Sequence, residues 1–204
     1  MTWKDVLASV CLGSECLGCA RPGLPWCRDC MLELIEAPDP GGLDGDPCTV
    51  SCCAYAGCVP EAIVGFKDRN VRTLGPVLGD IVALGVQHLD ADGLLVPAPS
   101  APSAVRRRGF DHTAQLAQQA GQRLGLPVRG ILKSRRRKDQ AGLSQTARRR
   151  NLEESMWVPF RGEGAVIIID DVRTTGATLS ECERALTAAG FSVVGKVVVA
   201  STQK

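Results

Sequence analysis

Aromatic residues are scarce in this chain of 204 residues, at 4% of the sequence. Surfaces that stack nucleic-acid bases on rings need several aromatic side chains, so the scarcity argues against that mode of binding. No run of eighteen apolar residues occurs, which argues against a membrane-spanning helix. Residues 1–12 contain no small-residue cleavage signal and predict a helix rather than a signal peptide, so we expect a cytoplasmic protein.

Charge is distributed unevenly along the chain, although the formal net charge is only +2. Residues 1–104 carry a net charge of −7 and residues 151–204 carry −2, whereas residues 105–150 carry +11. A segment this basic predicts an anionic partner, either the phosphates of a small molecule or the backbone of a nucleic acid. The alternative is a solvated arginine-rich face.

Ten cysteines are present, and four of them form two CxxC pairs separated by seven residues: Cys16, Cys19, Cys27 and Cys30. Four thiolates complete a tetrahedral shell and leave no position for water, so this spacing predicts a structural zinc site. Four buried free thiols are the alternative, and a disulfide scaffold is less favoured without a secretory signal. The other cysteines lack this spacing: Cys182 is predicted in the core, some of Cys48, Cys52, Cys53 and Cys58 as buried thiols, and Cys11 is unassigned.

The hydrophobic pattern predicts two units. Residues 1–47 form an N-terminal helix and the four-cysteine module, with a linker at 37–47, and residues 48–204 form the main domain. Apolar strands that alternate with amphipathic helices predict an α/β fold whose parallel sheet is covered on both faces. The predicted strands are 49–55, 94–96, 128–132, 166–170 and 193–200, and the predicted helices are 71–89, 113–124, 144–152 and 178–189, with Gly190 as the last C-cap.

The most informative segment is residues 166–178, where an apolar strand ends in Asp170 and Asp171 and a small-residue loop opens a helix. Backbone N–H groups and the helix dipole favour a phosphate at such a turn. Acidic side chains repel phosphate, so the aspartates suit sugar hydroxyls or a divalent cation. A loop that only turns a strand into a helix is the alternative. The hydroxyls and small residues predicted to hold phosphate are Thr174, Thr175, Gly176, Ala177 and Thr178.

Residues 170–178 resemble the signature of the type I phosphoribosyltransferases, which bind 5-phosphoribosyl 1-pyrophosphate. The chain as a whole resembles one branch of them, the ComF family, which is amidophosphoribosyltransferase-like and is associated with bacterial competence. That branch has an N-terminal four-cysteine module before the signature. The further elements of the resemblance, in chain order, are residues 66–70, 96–99, 106–110, 140–143 and 148–151.

The resemblance implies a parallel five-stranded sheet with a small hood, and a phosphoribosyltransferase activity that uses magnesium. It implies that Asp170 and Asp171 bind the ribose hydroxyls, directly or through magnesium, and that residues 174–178 hold the 5-phosphate. The other positions that it implies for substrate binding are Lys67, Pro97, Ala98, Pro99, Arg106 and Arg108, with a basic lid over residues 133–150. Dimers are common among such proteins.

One departure concerns the two residues after the Arg-Gly-Phe element. The family usually reads Asn-Gln there, whereas this chain has Asp111 and His112. An acidic side chain beside pyrophosphate is unfavourable, so either Asp111 points away or binding is modified there. For His112 we expect a solvated position at the start of the next helix rather than a catalytic role.

Two functions of different classes follow from the sequence. The first is an enzyme that transfers phosphoribose to a nitrogen acceptor, with purine, pyrimidine and amine acceptors all left open. The second is a competence-associated protein that binds single-stranded DNA, or other competence proteins, and keeps the fold as a scaffold. The motif at residues 170–178 is more specific than the basic charge of residues 105–150, so it favours the enzyme.

Overall fold

The structure is a computed structural model that describes residues 15–43, 46–134 and 155–202. The predicted N-terminal helix, Cys11, the predicted helix 144–152 and most of the predicted basic lid lie outside the described residues. The described helices are α1 (Arg28–Glu36), α2 (Val59–Asp68), α3 (Leu74–His88), α4 (Pro102–Arg108), α5 (His112–Leu124) and α6 (Ala177–Ala189). The described strands are β1 (Gly41–Leu43), β2 (Asp46–Ala54), β3 (Leu94–Pro97), β4 (Lys133–Ser134), β5 (Met156–Trp157), β6 (Ala165–Arg173) and β7 (Ser192–Ser201).

A five-stranded sheet with the order β1-β2-β7-β6-β3 forms the centre of the molecule. Strands β2, β7, β6 and β3 are parallel, and β1 pairs with β2 in the antiparallel direction. The α/β class with a mostly parallel sheet is therefore confirmed. The fully parallel sheet implied by the resemblance is corrected at one edge, because the edge strand β1 runs antiparallel to β2.

Both faces of the sheet are buried. Helices α2, α3 and α5 contribute to the core on one face, which includes Ile167 and Ile169, and α6 contributes to the core on the other, which includes Val166 and Ile168. These four residues of β6 have no exposed surface, as a central strand covered on both sides requires. None of the described helices is both long and apolar enough to cross a lipid bilayer.

Two segments differ from the secondary structure expected of them. Residues 128–132 do not form a strand, since Val128 makes only an isolated bridge to Leu95, and regular pairing occurs at β4 instead. The predicted linker at 37–47 contains β1 and the first residues of β2. The division at residue 47 stays a prediction, and β1, from the first predicted unit, lies in the same sheet as the main domain.

Helix α2 connects the cysteine-rich segment with the carboxyl end of the sheet. At its N-terminal end, Glu33 Oε1 of α1 accepts a hydrogen bond from the Cys58 backbone N–H at 3.1 Å. At its C-terminal end lie Lys67 and Asp68, both of which form ion pairs with residues beyond the helix.

Candidate active site and metal centre

Strand β6 continues beyond its neighbour and provides one wall of the candidate site. Strand β3 ends at Pro97, opposite Ile169, whereas β6 remains paired with β7 as far as Arg173. The Ala98 N–H donates to the Ile169 carbonyl at 2.8 Å, and the chain then turns away. The residues of β6 after Ile169 therefore face an opening at the carboxyl end of the sheet, where parallel α/β proteins bind ligands.

Asp170 and Asp171 lie at this opening but on opposite sides of the sheet, because successive side chains of a strand alternate. Asp171 shares its face with Ile169 and approaches α2 and α5. Its Oδ2 atom accepts hydrogen bonds from Lys67 Nζ at 2.6 Å and from His112 Nε2 at 3.0 Å. Asp170 accepts from the Asp171 backbone N–H at 2.9 Å, and no ion pair with a cation is found for it among the described residues.

These surroundings shift the pKa values of the two carboxyl groups in opposite directions. Burial and the neighbouring charge of Asp171 raise the pKa of Asp170 to about 8. Burial acts in the same direction on Asp171, but the hydrogen bond from His112 and the charge of Lys67 outweigh it and hold its pKa below the usual range. Asp171 is thus the permanently charged member of the pair.

His112 belongs to a network that runs along the side of the opening. Its Nδ1 atom lies 3.1 Å from Arg108 NH1 and 3.2 Å from Ser100 Oγ. Arg108 also donates to Asp68 Oδ1 through Nε at 3.1 Å. His112 is only 5% exposed, so the expected solvated position is wrong: the ring turns inward because it bridges Arg108 and Asp171.

Asp111, rather than His112, caps helix α5. Its Oδ1 atom accepts hydrogen bonds from the Ala114 N–H at 3.3 Å and from the hydroxyls of Ser100 and Thr113, each at 2.8 Å. The carboxylate is therefore occupied by the start of the helix, as one of the two sequence interpretations required.

A cavity of about 390 Å³ lies in front of these side chains, a volume within the range of small-molecule sites. Of the residues expected from the sequence, Asp170, Asp171, Thr174, Thr178, Lys67, Arg108, Ala98 and Pro99 line it. Pro97 is buried at the end of β3, Arg106 is exposed on α4, and Thr175, Gly176 and Ala177 lie in the same turn but not in the lining.

The turn between β6 and α6 is open to solvent. Thr174 and Thr175 are exposed, and Gly176 is the N-cap residue of α6. The φ of Gly176 is 76°, a left-handed value that favours glycine. The loop therefore brings hydroxyls and the N-terminal end of a 13-residue helix to the side of the cavity.

The four cysteines of the two CxxC pairs come together in a second cluster. Their sulfur atoms all lie within 4.8 Å of one another, and the sulfurs of Cys16 and Cys30, like those of Cys19 and Cys27, are 3.7 Å apart. Four sulfurs placed about 2.3 Å from one tetrahedral ion lie about 3.8 Å apart, so the cluster fits a zinc ion. It is the only such group found among the described residues.

Backbone geometry favours a thiolate at one cysteine of this cluster, Cys16, whereas burial and the neighbouring thiols raise the pKa of Cys30. Burial alone would raise the pKa of Cys16, but hydrogen bonds from backbone N–H groups, including that of Cys27 at 3.3 Å, lower it to about 6. A side chain at Gly18 would lie 2.7 Å from the Cys30 sulfur, so glycine permits the first turn to approach. The cysteines outside the cluster differ: Cys52, Cys53, Cys58 and Cys182 are buried, as expected for core thiols, and Cys48 is exposed.

Comparisons with known proteins extend this picture. No family model matches the chain. Over 201 residues the chain is 28% identical to Competence protein F of Haemophilus influenzae, and the match covers 88% of this chain and 86% of that protein. The chain is similar to Competence protein F.

Solved structures with a similar arrangement include an amidotransferase and two phosphoribosyltransferases. The B. subtilis glutamine phosphoribosylpyrophosphate amidotransferase matches with a TM-score of 0.42 and 20% identity over 61% of this chain, which spans 26% of that enzyme. Orotate phosphoribosyltransferase of Aeropyrum pernix matches with a TM-score of 0.38 and 15% identity, over 84% of this chain and 91% of that one. The Saccharomyces cerevisiae adenine phosphoribosyltransferase gives 0.42 and 12%, over 86% and 89%.

Sequence reasoning missed several residues that line the cavity, among them Ser100 and His112. Nothing in the local sequence marks Ser100. His112 carries a signal, since it occupies the position where the ComF pattern usually has glutamine. Histidine, like glutamine, can both donate and accept hydrogen bonds, so His112 is a candidate for the contacts that glutamine would make at this position.

Proposed function

We propose that the protein binds 5-phosphoribosyl 1-pyrophosphate with magnesium in the cavity at the carboxyl end of β6 and transfers its phosphoribosyl group to a nitrogen acceptor. One observation carries the proposal: the strand-end carboxylates and the hydroxyls of Thr174 and Thr178 line the same cavity as two cationic side chains, Lys67 and Arg108. A doubly phosphorylated sugar needs this combination, because its hydroxyls and its phosphates require opposite charges.

In the proposed complex, each part of the cavity binds a different part of the substrate. The turn between β6 and α6, with Thr174 and Thr178, holds the 5-phosphate, because its backbone N–H groups and hydroxyls can donate hydrogen bonds to the phosphate oxygens. Asp170, on the wall, receives the ribose hydroxyls. Arg108 lies across the cavity and faces the pyrophosphate, which Arg binds with several parallel N–H donors.

Transfer breaks the bond between the anomeric carbon and a pyrophosphate oxygen and forms a bond from that carbon to the acceptor nitrogen. The nitrogen's proton passes to water. Positive charge develops on the sugar in the transition state, and the neighbouring carboxylates offset it. Arg108 and Lys67 offset the negative charge that accumulates on the departing pyrophosphate.

Magnesium bound with the substrate would offset the negative charge of the pyrophosphate. Of the two aspartates, Asp170 has oxygen atoms left for such a cation, since the Oδ2 atom of Asp171 already accepts two hydrogen bonds. Because the pKa of Asp170 is raised to about 8, the cation would displace the proton of this carboxyl group at neutral pH. Carboxylate oxygen is the ligand type that magnesium prefers. The four-cysteine cluster we assign separately to a structural zinc ion, because thiolate sulfur and S–S separations of 3.7 Å suit that metal.

Isothermal titration calorimetry with 5-phosphoribosyl 1-pyrophosphate, with and without magnesium, tests the proposal. We expect heat of binding with magnesium, and none from a variant that combines Asp170→Asn with Asp171→Asn. Asp29→Asn, which removes an exposed carboxylate far from the motif in sequence, is the control and retains the heat. Absence of heat from the unmodified protein with ligand and magnesium refutes the proposal.

A second function is favoured by the charge of residues 105–150 and by the name of the similar Haemophilus protein, which assigns that protein to competence. On this alternative the basic segment binds single-stranded DNA. The described part of the segment supports it, because Arg106 and Arg107 are exposed on α4.

Salt dependence distinguishes the alternatives. If the basic segment binds DNA, changing Arg135, Arg136 and Arg137 to Ala lowers the slope of log affinity against log salt by about 0.7 for each phosphate that is no longer neutralised. Calorimetry on the same variant shows whether sugar-phosphate binding persists. Retention of that binding indicates separate sites, and an unchanged salt slope refutes DNA binding by these arginines.

A further inference from the structure

His112 connects the two sides of a closed group of charged residues. Its Nε2 atom contacts Asp171, and its Nδ1 atom contacts Arg108. Arg108 in turn pairs with Asp68, the residue next to Lys67, and Lys67 returns to Asp171. The end of α2, the end of α4, the start of α5 and the end of β6 thus meet at one ring of contacts.

The contact with Arg108 determines where the proton of His112 lies. Nδ1 lies 3.1 Å from Arg108 NH1 and 3.2 Å from Ser100 Oγ, whose hydrogen goes to Asp111, and we assign the shorter contact as its hydrogen bond. A guanidinium group has only N–H donors, so Nδ1 accepts in this assignment. Nδ1 therefore carries no proton, and the single N–H of the ring is on Nε2. That N–H points at Asp171 Oδ2, 3.0 Å away, which can only accept when ionised.

The same contacts fix Arg108 before any ligand arrives. Its Nε and NH2 atoms lie 3.1 and 2.9 Å from Asp68 Oδ1, and NH1 is held by His112. Three of the five N–H donors are then occupied, which leaves one on each terminal nitrogen. The side chain is largely buried and lines the cavity, so it is a cation whose position is set in advance.

We propose that His112 is a positioning residue for the pyrophosphate end of the ligand. As a neutral ring it holds both neighbours at the cavity, because it donates a hydrogen bond to Asp171 and accepts one from Arg108. The proposal rests on the proposed function. It also accounts for the departure from the usual Asn-Gln. Glutamine likewise offers one donor and one acceptor side, and Asp111 provides the helix cap that asparagine provides.

Rescue by glutamine tests this role. With 5-phosphoribosyl 1-pyrophosphate and magnesium as the probe, we expect His112→Gln to bind within about threefold of the unmodified protein. His112→Leu, which keeps volume but has no polar atom, is expected to bind about tenfold more weakly, a loss typical of residues that orient a binding group. His88→Gln, which changes the other, exposed histidine, is the control. The proposal is overturned if His112→Gln is as weak as His112→Leu, or if His112→Leu binds normally.

Nitrogen NMR of the histidine rings gives a second measurement that needs no ligand and no variant at position 112. The sequence has only two histidines, so the His88→Gln protein reports His112 alone. At pH 7.5 we expect a neutral ring with the proton on Nε2. A proton on Nδ1, or on both nitrogens, overturns the inference. If the unmodified protein binds no probe, the proposed function fails, whereas the NMR result still decides the hydrogen-bonding role of His112.

Discussion

The ion pair between Lys67 and Asp171 makes a quantitative prediction about stability. Lys67 Nζ and Asp171 Oδ2 are 2.6 Å apart, and the two side chains are 30% and 9% exposed. Hydrogen bonds to charged groups contribute about 1.5–3 kcal/mol, and a buried carboxylate that loses its cation is destabilised further. We expect a coupling free energy of about 2 kcal/mol between these residues, near the middle of that range.

A double-mutant cycle measures this coupling. The variants are Lys67→Met, Asp171→Asn and their combination, each unfolded in urea and followed by tryptophan fluorescence, to which the buried Trp26 contributes. In the double variant Asp171 is already neutral, so the loss of Lys67 leaves no buried charge unpaired. We therefore expect the double variant to lose less free energy of unfolding than the two single variants lose in sum.

The pair Arg21–Asp29 provides a control that differs in burial rather than distance. It is 2.7 Å long, yet its side chains are 69% and 68% exposed. Water screens such a pair, and we expect no measurable coupling from the matching cycle. The reasoning is refuted if the coupling of Lys67 with Asp171 does not exceed that of this control.

Two further predictions concern the second aspartate and the cysteine cluster. The folded protein holds the proton of Asp170 more tightly than the unfolded chain does, because the pKa of Asp170 is raised to about 8 in the folded state. The stability that this proton contributes is fully present below about pH 4 and is lost as the pH rises to about 8. Melting temperatures between pH 5 and 9 should therefore fall less steeply for Asp170→Asn, and equal slopes would contradict the shift. Cys30→Ser should lose bound zinc and melt at a lower temperature, whereas Cys48→Ser, outside the cluster, should keep zinc; equal metal contents in a colorimetric assay would argue against the site.

The parts of the fold that were predicted correctly are those with continuous or strongly periodic hydrophobicity. Strand β6, helix α5 and helix α6 lie within a few residues of their predicted bounds, because tertiary packing acts on the same apolar residues that define the pattern. Helix α4 was not predicted, and it has no buried apolar residue. It begins with proline and ends at Gly109, so it depends on its ends rather than on an apolar face.

The site was predictable where chemistry is local and not where it depends on distant segments. The cysteine pairs and the loop after Asp171 are contiguous, so their spacing indicates their geometry. Lys67 and Asp171 are 104 residues apart in the sequence, and no pattern within either segment predicts their contact. The inward position of His112 likewise depends on partners from α4 and β6 that only the folded chain supplies.

Helix α2 links the segment that carries the cysteine cluster to the cavity. Ten residues of α-helix are about 15 Å long, and this length separates the contact of Cys58 with Glu33 from the pairs made by Lys67 and Asp68. An α-helix resists stretching along its axis, so we expect a displacement of α1, which carries Cys30, to reach both charged residues. A chain that added or removed one residue within α2 would rotate them by about 100° around the axis and separate them from Asp171 and Arg108, even with every cysteine in place.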